Sequence, residues 1–119
     1  MESKTDENIK KLLSDLPNPL YLNLGCGNDI RKEFINIDLY SEDENVLNLD
    51  VRNLPFPENS VDLILASDII EHFSHREIDN VLSEWSRVLK ENGTLIIRCP
   101  SLKLQDKAYL DNIWNADVA

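Results

Sequence analysis

Glycine and cysteine are scarce in this sequence, at three and two residues in 119. No apolar run approaches the roughly 18 residues that cross a bilayer, which argues against a membrane-spanning helix. Cys26 and Cys99 form no CxxC or Cys/His spacing, so they read as free thiols and not as zinc ligands. Basic residues are outnumbered, 12 Lys and Arg against 22 Asp and Glu, for a formal net charge of -10. That balance opposes direct binding to nucleic acid or an anionic membrane, both of which attract a basic patch. Its plainest effect is solubility. The opening Met1-Glu2-Ser3-Lys4-Thr5-Asp6-Glu7 is polar and acidic, unlike a secretory signal, and the expected location is cytoplasmic.

What is present suits a single compact domain over 1–119, with 42% hydrophobic residues to build its core. An N-terminal helix is expected within 1–18, a core over 20–100, and a C-terminal helix or tail over 101–119. Ile9, Leu12, Leu13 and Leu16 recur at helical spacing over 6–15, and Pro17-Asn18-Pro19 ends that helix. Short apolar strands follow at Tyr21–Leu24, Phe34–Asp38, Val46–Asp50 and Val61–Ala66. Ser74-His75-Arg76-Glu77 has the form of a capping box. Ile78, Val81, Leu82, Trp85, Val88 and Leu89 then make one apolar helical stripe. Asn92-Gly93 turns into a fifth strand, Thr94–Ile97, which Pro100 stops. A last helix is expected over 104–115, with Leu104, Ala108 and Trp114 inward.

Strand cores rich in Ile, Leu and Val fit a parallel sheet buried on both faces. The expected class is therefore α/β, a Rossmann-like, mainly parallel sheet of about five strands with few flanking helices. The links at 25–33 and 39–45 are shorter than the roughly dozen residues a parallel crossover normally needs. Full helices do not fit there.

Two of the three glycines sit at Gly25 and Gly27, where the first strand ends. Glycine lets backbone N–H groups approach a ligand and accepts positive φ. Gly25-Cys26-Gly27 alone reads equally as a tight turn. Position 30 is Ile30, so the dinucleotide fingerprint with its third glycine is absent, which argues against a nicotinamide enzyme. Three further features favour a nucleotide loop. Asp38 ends the second strand, where a carboxylate can accept from both ribose hydroxyls. Asp50 ends the third, where it can meet an adenine amino group while the Val51 N–H meets a ring nitrogen. Ser67-Asp68 ends the fourth. All lie at strand C-terminal ends, where open α/β sheets bind ligands.

Leu22-Asn23-Leu24-Gly25-Cys26-Gly27 resembles the first motif of class I methyltransferases that use S-adenosylmethionine (SAM). The stretch from Asn48 to Asp62, then Glu71-His72-Phe73, Trp85-Ser86-Arg87-Val88-Leu89-Lys90 and Asn92-Gly93-Thr94-Leu95, resembles the methyltransferase type 11 group. The resemblance covers residues 20–100. It implies strand order 3-2-1-4-5 and SAM as the cofactor. By position, Gly25, Cys26 and Gly27 would border the methionine end of SAM. Asp38, with Leu39 beside it, would hold the ribose. Asp50 and Val51 would hold adenine, and Ser67 and Asp68 would line the floor near the sulfonium. The family's fold carries two more strands after the fifth. Their absence would leave this chain a truncated form with an exposed fifth-strand edge, inviting a homodimer.

Methyl transfer from an activated sulfonium requires alignment of the acceptor, and a hydroxyl acceptor benefits from a general base. Asp68 and His72 are weak candidates. Glu71 and His75 lie nearby, but Glu71 and His72 read more readily as a structural pair, and His75 as an exposed first-turn residue. Asp68, Glu71 and His72 at i, i+3, i+4 would share a helical face and could meet a divalent cation; no metal is the favoured expectation. Cys26 has no evident base and reads as a small turn residue. The expected function is methyl transfer to a small molecule or glycan. The alternative is an inactive SAM-fold module that dimerises or binds a partner.

Overall fold

The computed structural model describes residues 4–98 and 116–118. Helix α1 spans Lys4–Ser14. Strands β1 (Tyr21–Leu24), β2 (Ile35–Ile37), β3 (Val46–Leu47) and β4 (Val61–Ser67) follow. A 3-10 turn at Ile70–His72 leads to α2 (His75–Val88), then β5 (Leu89–Arg98) and β6 (Ala116–Val118). The sheet order is β3-β2-β1-β4-β5-β6, with every neighbouring pair parallel. The order 3-2-1-4-5 and the Rossmann-like α/β class are those expected from the sequence.

The sixth strand corrects one expectation. The edge expected to be bare along Thr94–Ile97 carries β6, with Leu95, Ile96 and Ile97 in register with Ala116, Asp117 and Val118. A strand edge presents unpaired N–H and C=O groups, and a segment of any suitable length can satisfy them. Ala-Asp-Val is too short to carry a periodic signal. Pairing with a second copy at this position would have to displace β6. The helix expected over 104–115, together with Cys99 and Pro100, lies outside the described residues.

The core lies between the sheet and α2. Leu22, Ile64 and Leu95 share one rung of the sheet, and Leu24, Ala66 and Ile97 another. All six are 0–1% exposed and meet Val81, Leu82, Trp85 and Val88 of α2. The capping box forms as expected: Glu77 N–H donates to Ser74 Oγ at 3.3 Å, and Ser74 N–H to Glu77 Oε1 at 3.2 Å. The 51–60 link wraps over α2 and is pinned by its side chains. Trp85 Nε1 donates to the Val51 carbonyl at 3.0 Å. Arg87 donates to the carbonyls of Phe56 and Leu54 at 3.0 and 2.9 Å. Glu84 Oε2 accepts from Leu54 N–H at 2.7 Å.

The opposite face is less uniformly buried among the described residues. Leu63 and Ile96 are half-buried and Thr94 is exposed. The short links before β2 and β3 carry no helix to cover them. Leu13, expected inward, is 37% exposed, whereas Leu12 and Leu16 pack on the core. Leu89 pairs with Val61 but Thr94 with Leu63, so residues 90–93 leave the ladder register. Strand β5 therefore begins before the expected Asn92-Gly93 turn. A Cβ at Gly93 would lie 3.1 Å from the Val61 carbonyl oxygen, which explains glycine at this close approach.

Candidate functional site

Strands β1, β2 and β4 deliver the expected residues to one end of the sheet. Gly25 and Gly27 have φ of 65° and 53°, the left-handed conformation that disfavours other side chains. The loop is tied to β2, since the Gly25 and Cys26 N–H groups both donate to the Ile37 carbonyl, at 2.8 and 3.1 Å. Gly25 also lies against the loop after β4. A Cβ there would sit 2.6 Å from Ile69 Cδ1 and 3.1 Å from Ile69 Cβ. Glycine at 25 is thus required by both backbone and space, and at 27 by backbone alone.

Asp38 closes this loop from the next strand. Its Oδ2 accepts from Gly27 N–H at 2.8 Å and its Oδ1 from Tyr40 N–H at 3.1 Å. A carboxylate offers about four acceptor positions, so each oxygen retains one for an incoming hydroxyl. Beside it lies a cleft of about 590 Å³ lined by Gly27, Asn28, Ile30, Asp38, Tyr40 and the start of the β2–β3 link. Small-molecule sites commonly fall between about 300 and 1,000 Å³. Tyr40 is 87% exposed and Leu39 44% exposed.

The remaining expected residues are not among those that line this cleft. Asp50 holds Arg52, whose Nη2 donates at 2.7 Å and whose Nε reaches both carboxylate oxygens at 3.0 and 3.1 Å. This ion pair keeps the Asp50 carboxyl below its ordinary range. Arg52 also meets Glu77 at 3.2 Å, tying the end of the third-strand region to the first turn of α2. Val51 is buried, and its carbonyl is occupied by Trp85. Ser67 ends β4 half-buried, and Asp68 follows exposed at φ 56°. Neither lines the cleft.

Glu71, His72 and His75 are also exposed. The segment around Glu71 and His72 is a 3-10 turn, not the α-helical face considered for a metal. Among the described residues, no group of three or more His, Cys, Asp or Glu side chains could hold a metal ion. Cys26 is 6% exposed, and burial, reinforced by Asp38, pushes its thiol up to about 11. A thiol so rarely ionised at neutral pH is a poor nucleophile, in keeping with a turn residue.

Sequence reasoning overlooked Tyr40, Ile30 and Asn28 at the cleft. It also overlooked Asn23 and Asn36, which are buried at 1% and 5% exposure and joined at 2.9 Å. A signal was available for the asparagines. Each is a polar residue between two apolar ones in a central strand, Leu22-Asn23-Leu24 and Ile35-Asn36-Ile37, and a buried amide requires partners.

Comparison with known proteins agrees with this architecture. A family model for the methyltransferase domain, type 11, matches residues 19–97. An uncharacterised protein of Methanocaldococcus jannaschii, MJ0638, is 29% identical over 107 residues, covering 76% of this chain and 46% of its own length. The crystal structure of the PH0226 protein from Pyrococcus horikoshii OT3 aligns with a TM-score of 0.53 at 25% identity, over 76% of this chain and 54% of that one. The chain therefore spans about half the length of these relatives.

Proposed function

The chain belongs to the methyltransferase domain family, and on that premise we propose that it binds SAM at the C-terminal ends of β1 and β2 and transfers its methyl group to a small-molecule or glycan acceptor. The observation that carries the proposal is Asp38 beside the Gly25–Gly27 loop. A carboxylate with free acceptor positions borders a cleft of suitable volume, next to a loop whose two glycines take a conformation other residues resist. That donor and acceptor set fits a ribose and the polar chain attached to it. Gly27 and Asp38 would contact the ligand directly, with Leu39 and Tyr40 as its apolar neighbours. Asp50, Val51, Ser67 and Asp68 would meet its further parts. SAM supplies an activated methyl on a sulfonium, and the protein's task is to align the acceptor with it. Asp68 and His72 are the groups proposed to receive a proton from a hydroxyl acceptor.

Among the described residues no helix is long and apolar enough to cross a membrane. A second reading keeps SAM binding without catalysis by this chain alone. It is favoured by the chain's spanning about half of its relatives. Incubation with methyl-labelled SAM and a panel of glycan and small-molecule hydroxyl acceptors separates the two. Label in an acceptor, lost in Asp38→Ala, supports the transferase. Tight SAM binding with no transfer to any acceptor supports the second reading.

A further inference from the structure

The face of the sheet opposite α2 contains a buried polar pair that the proposed chemistry does not use. Asn23 and Asn36 are neighbours in the β1–β2 register. Asn23 Nδ2 donates to Asn36 Oδ1 at 2.9 Å and to the Asp29 carbonyl at 2.7 Å. Asn36 Nδ2 donates to the carbonyls of Arg31 and Phe34 at 3.0 and 3.2 Å, and its Oδ1 accepts from Arg31 N–H at 2.9 Å. The pair therefore satisfies four backbone groups of the 28–34 link, Asp29 C=O, Arg31 N–H, Arg31 C=O and Phe34 C=O. In a helix such groups would satisfy one another. This link is too short for one, and backbone groups partly withdrawn from water still call for partners. Two strand side chains take over that role.

The consequence reaches the glycine loop. Residues 24–28 lie between Asn23 and Asp29, and the Asn23–Asp29 bond closes that loop at its base. We propose that the Asn23–Asn36 amide pair positions the SAM site by holding the Gly25–Asn28 loop in its ligand-ready shape. Both residues act through the loop and touch no ligand. The inference rests on the SAM reading for its ligand, but its structural half can be judged without it. Where a binding-competent conformation is only partly populated, apparent affinity falls by that fraction. Release of the loop to a state competent about one-tenth of the time weakens binding about tenfold.

The test uses the full chain, with Asn36→Ala and the near-isosteric Asn36→Asp, which loses the two donations to backbone carbonyls. Val81→Ala, on the buried face of α2 and so across the sheet from the amide pair, serves as a comparably destabilised control. Calorimetric titration with SAM and its demethylated product is paired with amide exchange, under conditions where every variant is folded. The expected result is at least a roughly tenfold loss of affinity in a folded Asn36 variant, against little change in Val81→Ala. Faster exchange should be confined to residues 25–34, with α2 unaffected. Should Asn36→Ala not fold, Asn36→Asp carries the comparison. Wild-type affinity in a folded Asn36 variant overturns the proposal, as does equal weakening in Val81→Ala. If the wild-type chain binds neither ligand, the SAM reading falls. Exchange alone then decides the positioning role, and an unchanged 25–34 segment in Asn36→Ala overturns it.

Discussion

Replacing each site glycine by alanine separates backbone strain from crowding within one loop. Both residues are left-handed, at φ 65° and 53°. Alanine in that conformation costs about 1–2 kcal/mol. For Gly27→Ala nothing more is added, because no atom beyond its own chain neighbours lies within 4 Å of the new Cβ. For Gly25→Ala the new Cβ meets Ile69 at 2.6 Å from Cδ1, 3.1 Å from Cβ and 3.2 Å from Cγ1. The Cδ1 can rotate away, but the Cβ is fixed to the backbone, so part of the crowding persists. Overpacking of this kind costs about 1–3 kcal/mol. The expected totals are about 1–2 kcal/mol for Gly27→Ala and about 2–5 kcal/mol for Gly25→Ala. Urea unfolding followed by circular dichroism measures both. Adding Ile69→Ala to Gly25→Ala removes the Cδ1 and Cγ1 contacts and leaves that to Cβ, so the double variant should be less destabilised than the sum of the singles. Equal costs at the two glycines, or strict additivity with Ile69→Ala, would refute the packing of the β4 loop on the glycine loop.

Three other outcomes follow from the same geometry. Glu84, held by Arg87 at 2.7 Å and by Leu54 N–H, has its carboxyl below the ordinary 4.5. The stability it contributes is complete above that value and is lost as pH falls through the lower folded one. Urea midpoints should thus separate wild type from Glu84→Gln at pH 7 and converge in acid; a constant gap would contradict this. The Cys26 thiol, raised to about 11, should resist alkylation by iodoacetamide at pH 7.5 in folded protein and react after unfolding. Fast labelling of Cys26 in the native state would contradict its burial. Trp85→Phe leaves the Val51 carbonyl without its indole donor and should cost about 1–3 kcal/mol in the same urea assay; no loss would mean the bond is not formed.

The legible parts of the fold were those with strong local signals. Strand β1 ends at the first glycine as expected, and α2 begins at its capping box, because Ser74 and Glu77 satisfy each other without long-range help. The third strand, expected over Val46–Asp50, stops at Leu47. Asn48 leaves the ladder to donate to the carbonyls of Asp38 and Ser41 at 3.1 and 2.8 Å, a bond that depends on where β2 ends. Strand β6 has no local signal, because its three residues are set by pairing with the β5 edge. At the site, Asp38 and Gly27 stood out as residue types with a known use at strand ends. Asp50, expected from the sequence to meet an adenine amino group, has its carboxylate engaged by Arg52 two residues on, a partner that strand-end position alone does not reveal. The cleft wall at Tyr40 and Ile30 arises from the shape of two short links, which no periodicity describes.

Titration of SAM into the wild-type chain and into Asp38→Ala tests the central claim most directly. Hydrogen bonds to a charged acceptor contribute about 1.5–3 kcal/mol each, so losing even one should weaken binding about tenfold or more. The account predicts saturable binding to the wild-type chain, reduced by at least that factor in folded Asp38→Ala. No binding to the wild-type chain, or equal affinity in the two proteins, would contradict it.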